Sequence, residues 1–198
     1  MRLVALVLVL LSLSAVAAQA DGDPASDWLY TQKVFVPFDV KATKANQREL
    51  TMTVEGAWKQ QFRIKVAVIG NAYDLGAVPS LWRKPQTYAR FLGAELVFLY
   101  KQRLLIVMPN GFGFYWHGHS TTAPYATLDR IAIPAGPDGL VTAAREAVVQ
   151  LAAKSGVEIT AAKAPADHTN RDRMIIIVAA VALIALALLG RFALRRRG

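Results

Sequence analysis

The chain has 198 residues, no cysteine, and 23 Lys+Arg against 14 Asp+Glu. The lack of cysteine excludes disulfides, thiolate metal sites, iron–sulfur ligation and a cysteine nucleophile. Five of the basic residues are Arg2, Arg191, Arg195, Arg196 and Arg197, which leaves 18 basic against 14 acidic residues in between, an ordinary solvated surface that argues against a nucleic-acid partner.

Arg2, an apolar run over residues 3–16 and the triplet Ala18-Gln19-Ala20 follow the order of a secretory signal peptide over residues 1–20, with Asp21 as the mature N-terminus. The body over residues 21–160 is large enough for one self-sufficient core and too small for two domains. Residues 28–40 mix aromatic and branched side chains around Pro37, which predicts an edge strand or extended arm. Over residues 43–62 the positions Leu50, Val54, Ala57, Trp58 and Phe62 recur at steps of three and four, predicting an amphipathic helix.

The apolar run over residues 63–69 predicts a buried strand, and Leu104-Leu105-Ile106-Val107-Met108 repeats that signature. Between them, a helix opened by Pro85 places Tyr88, Phe91, Leu92, Leu96 and Leu99 on one face, so the three pieces form a parallel βαβ unit. Asn110-Gly111 predicts a hairpin into an antiparallel strand. Residues 128–133 are a further strand candidate. Asp138 is placed to cap a last helix with Leu140, Ala144, Ala147, Val148 and Leu151 facing inward, and Gly156 suits its C-terminal cap. The alternation defines an α/β layered domain with a mixed sheet.

Residues 161–173 form a short polar tether. The uncharged stretch over residues 174–190, extended by Phe192, Ala193 and Leu194, is long enough to span a bilayer, so residues 174–194 are predicted to be a transmembrane helix. The basic tail over residues 195–198 then lies in the cytoplasm and the domain outside the cell membrane.

Neither G-x-x-x-x-G-K-[ST] nor G-x-G-x-x-G occurs, nor a G-x-S-x-G elbow or an H-E-x-x-H helix. Three constellations remain. Asn71 and Asp74 sit just past the first buried strand, where open α/β sheets place ligand sites; Asp74 can hold a hard cation, or both residues can simply satisfy loop backbone groups. His117 and His119 fall on one side of an extended chain and could join Asp74 around a divalent cation, or they are an exposed pair that titrates near neutrality. Phe112, Phe114, Tyr115, Trp116 and Tyr125, with Trp82 in its own loop, offer either a partner-binding surface or core packing.

Ile64-Lys65-Val66-Ala67-Val68-Ile69, Ala72-Tyr73-Asp74-Leu75-Gly76, the segment from Pro85 to Gly93, and Leu104-Leu105-Ile106-Val107-Met108-Pro109-Asn110-Gly111-Phe112-Gly113 together resemble the TPM-domain family, in particular an uncharacterised bacterial branch. The resemblance covers roughly residues 43–156 and implies an αβα sandwich with a mixed, mostly parallel sheet. The family is credited with divalent-cation binding, phosphatase activity or assistance to membrane assemblies. Many members carry an acidic Asp-Asn-Gly loop where this chain has Tyr100-Lys101-Gln102-Arg103, leaving Asp74 as the loop carboxylate carried over. The expected function is a single-pass, non-catalytic interaction or assembly module with a membrane-protein partner; the alternative is a metal-dependent phosphoesterase or a divalent-metal-binding module.

Overall fold

The computed structural model describes residues 22–162 together with residue 178. The predicted signal peptide, most of the predicted tether and, residue 178 apart, the predicted transmembrane segment fall outside the described residues. Among the described residues no helix is long and apolar enough to cross a membrane.

Over residues 22–162 five helices and four strands follow one another as α1 (Pro24–Thr31), β1 (Val34–Phe35), α2 (Lys44–Lys59), β2 (Ile64–Val68), α3 (Pro85–Leu96), β3 (Arg103–Met108), β4 (Gly111–Tyr115), α4 (Thr122–Leu128) and α5 (Gly139–Lys154). Two 3-10 turns, Ala72–Leu75 and Pro79–Leu81, lie between β2 and α3. The strands form one sheet in the order β1-β2-β3-β4, parallel except for the antiparallel β3–β4 pair. The predicted βαβ unit and the hairpin are both present.

Every residue of β2 is buried, as is β3 after Arg103, because helices cover both faces of the sheet. Ile64, Val66, Val68, Leu105 and Val107 point into one core with α2 and α5. Ala67, Ile69, Leu104, Ile106 and Met108 point into a second core with α1 and α3. The period of two thus sorts consecutive strand residues into alternate cores, giving a helix–sheet–helix sandwich. Each fully buried Leu, Ile or Val contributes about 1.5–3 kcal/mol.

Local chemistry sets the element ends. Thr43 caps α2 by accepting from the Asn46 N–H at 3.3 Å. At its other end the Phe62 N–H reaches back to the Ala57 carbonyl and the Gln61 N–H to Trp58, a Schellman closure with Gln61 at φ 62°. α5 ends in the same closure, with Gly156 at φ 76° in the position predicted for it. α3 rests tightly on β4, where a Cβ at Gly113 would strike the Pro85 carbonyl.

Four expectations are corrected. Residues 28–31, expected as the start of an extended arm, belong to the helix Pro24–Thr31: Asp23 accepts from the Ala25 N–H at 3.1 Å and Pro24 occupies the first helical turn. The edge strand shrinks to Val34–Phe35 before Pro37. Leu99 does not join the α3 face, because the helix stops at Leu96 and leaves Leu99 exposed. Residues 128–133 form no strand; the Tyr125 hydroxyl accepts from the Phe114 N–H at 2.8 Å and donates to its carbonyl at 3.1 Å, occupying the outer edge of β4 where a fifth strand would pair.

Two finer details also differ. The hairpin turns on Pro109 and Asn110, with Gly111 already paired to Met108. Asp138 occupies the N-cap position of α5, as expected, but its side chain makes no capping bond to the helix. Its carboxylate instead accepts from the Thr43 N–H at 2.7 Å, fastening the start of α2 to the start of α5.

Candidate functional site

The parallel pair β2 and β3 gives the sheet two chemically different ends. At the C-terminal end, the loops after β1 and β2 meet. Asp74 is buried, and its Oδ2 accepts from the Gly70 N–H at 2.6 Å and the Asn71 N–H at 2.9 Å. Asn71 Oδ1 accepts from the Tyr73 N–H at 2.7 Å, and its amide donates to the Asp39 carboxylate. Burial raises the Asp74 pKa, and the like charge of Asp39 beside it pushes the same way, against the two backbone hydrogen bonds. Asn71 and Asp74 form a capping box around the 3-10 turn, the loop-satisfying role weighed for them. The network holds two apolar rings in water: Phe38 is fully exposed and Tyr73 is 92% exposed.

The opposite end carries the start of β3 and the end of β4, paired through Leu104 and Tyr115. His117 and His119 lie here, so they are not brought together with Asp74. Nor do they face one another. The chain turns at Gly118, φ 71°, and the His119 N–H closes on the Trp116 carbonyl at 3.1 Å. His117 Nδ1 meets the Tyr115 hydroxyl at 3.0 Å, while His119 stacks on Trp116 with centroids 3.8 Å apart. The extended geometry that would have aligned the two imidazoles ends with β4, and among the described residues no group of three metal-ligating side chains forms.

The aromatic candidates divide. Phe112 and Phe114 are buried in the core shared with α2 and α5. Trp82 packs half-buried against the core shared with α1 and α3. Trp116 walls a pocket of about 310 Å³ whose floor is Phe62, Phe114 and Leu151 and whose rim includes Lys154. The Arg103 guanidinium lies 3.9 Å over the Trp116 ring and 4.4 Å over Phe62. Burial lowers its pKa.

Sequence reasoning overlooked Asp39, Phe38, Tyr73 and Arg103 as contributors. Arg103 was legible as a cation at the head of an otherwise apolar strand, and Phe38-Asp39 as a bulky apolar–acidic step after Pro37. The fold and these two ends define an αβα domain with an acidic, aromatic-tipped end and a cationic, aromatic-walled pocket. No protein-family model matches the chain, and no curated protein or solved structure matches it either.

Proposed function

We propose that the protein is a membrane-anchored accessory module of TPM type, with residues 1–20 directing export and residues 174–194 crossing the membrane. On this reading the α/β domain stands outside the cell membrane, the tail over residues 195–198 stays in the cytoplasm, and the domain binds a membrane-protein partner without turning over a substrate. The observation that carries it is the pair of exposed rings, Phe38 and Tyr73, on loops pinned by Asp74, Asn71 and Asp39. Aromatic side chains presented on a rigid support lose little entropy on docking and make strong interface anchors.

A photocrosslinking residue placed at position 38 or 73 in intact membranes tests this. The expected result is one discrete adduct, lost in a control chain that carries serine at the other position. A smear, or no adduct from either position, overturns the reading.

A second reading, a divalent-cation site serving a metal-binding module or a phosphoesterase, has one favouring observation: the Asp39 and Asp74 carboxylates adjoin at the strand C-termini. Ca²⁺ or Mg²⁺ at about a hundred times its Kd should then add about 2.7 kcal/mol to stability, seen as a melting shift that Asp74→Asn abolishes. An unchanged melting curve rejects it.

A further inference from the structure

Among the described residues the Arg103 side chain is held in place without a partner for its charge. Its guanidinium rests over Phe62 and Trp116, and His119 stacks on Trp116 at 3.8 Å. Both neighbours of Trp116 lie within 4 Å of its ring centroid, so the indole is held by a cation and an imidazole at once. Arg103 forms no ion pair among the described residues, and its guanidinium N–H groups find no acceptor there. Among the described residues the pocket it shares includes a second cation, Lys154, and no carboxylate, over a floor of Phe62, Phe114 and Leu151. A volume of about 310 Å³ lies at the small end of ligand pockets.

A guanidinium whose flat face is taken up by aromatic rings offers its N–H edge, and that edge is a two-pronged donor matched to a planar carboxylate. The apolar floor demands an apolar group behind it. We propose that this pocket binds a small ligand that joins one carboxylate to an apolar body, the carboxylate meeting Arg103 with Lys154 at the rim and the body lying on Phe62, Phe114 and Leu151. The ligand competes with nothing at the opposite end of the sheet, so this site stands or falls independently of the partner surface at Phe38 and Tyr73.

Ligand-observed saturation-transfer NMR on the full chain in nonionic detergent, with empty micelles as the blank, tests it using 3-phenylpropionate and its neutral amide. The acid should bind about tenfold or more tightly than the amide, the ratio expected for a charge-assisted hydrogen bond. Arg103→Gln should abolish that preference. Lys154→Gln, on an exposed side chain that the fold does not need, should weaken the acid severalfold and leave the amide unchanged. Equal binding of acid and amide, binding of neither, or acid binding indifferent to both substitutions overturns the proposal.

Discussion

Gln61 sits at φ 62°, in the left-handed region where a Cβ crowds the following carbonyl. The Schellman closure of α2 requires that conformation, and glycine supplies it without strain. Gln61→Gly should therefore raise stability by about 0.5–1 kcal/mol, the relief of strain exceeding the added freedom of the unfolded chain. A melting temperature higher by a few degrees checks it. Asp23 is the second informative residue. Burial lifts its pKa from the usual 3.8 to about 6, against hydrogen bonds donated by the Tyr88 hydroxyl and the Ala25 N–H. Folded Asp23 holds a proton that the unfolded chain has released, so its contribution is complete below about pH 4 and is lost as pH rises to about 6. The difference amounts to about 3 kcal/mol, and Asp74, shifted in the same direction, adds to the same trend. Chemical denaturation from pH 4 to pH 7 should show stability falling across this window from these groups, and Asp23→Asn should flatten the fall.

At the scale of elements, the outer edge of β4 is guarded by a single phenol. Tyr125→Phe leaves the Phe114 N–H and carbonyl without their partner, which should cost about 1–3 kcal/mol. It also opens a strand edge to pairing with another chain. Sedimentation of the variant should show concentration-dependent self-association that the parent lacks. The regular elements were legible because periodicity reports burial: the branched runs of β2 and β3 and the Leu50–Val54–Ala57 stripe of α2 each announce the face they bury. Residues 128–133 carried the same apolar signature but had no ladder to join, a fact decided by Tyr125 and invisible along the sequence. The helix at residues 24–31 was hidden by its aromatic content, although Asp23-Pro24 is a sound N-terminal signal. The candidate site was half legible. Asp74 stood out as a loop carboxylate, but its neighbour Asp39 is brought in by the parallel β1–β2 pairing, and the separation of the histidines from Asp74 follows from strand direction.

Across the whole molecule, the two ends of one sheet differ in chemistry, exposed rings beside the buried Asp74 and the exposed Asp39 at one and a cation clamped by rings at the other. Because Phe38 and Tyr73 are exposed, Phe38→Ser and Tyr73→Ser should each melt within about 0.5 kcal/mol of the parent while abolishing the adduct formed from a photocrosslinking residue at the other position. Stability and partner binding should thus separate cleanly in a melting curve set beside a gel.

The short first helix carries a consequence for maturation. Its start is tied into the second core by Asp23 through the Tyr88 hydroxyl, at 2.7 and 2.8 Å to the two carboxylate oxygens. Its last turn is tied by the Leu29 carbonyl, which accepts from the buried Lys65 ammonium. Ala25 and Leu29 are wholly buried between those ties. On the proposed reading, in which export leaves Asp21 as the mature end, an exopeptidase could remove residues 21 and 22 without touching these ties. Loss of Asp23 would strip the partner from Tyr88, and trimming on through Leu29 would empty the second core of Ala25 and Leu29 and strip the partner from Lys65, so the molecule itself sets the limit of its own N-terminal trimming. A chain begun at residue 22 should fold and resist aminopeptidase, and one begun at residue 32 should not fold.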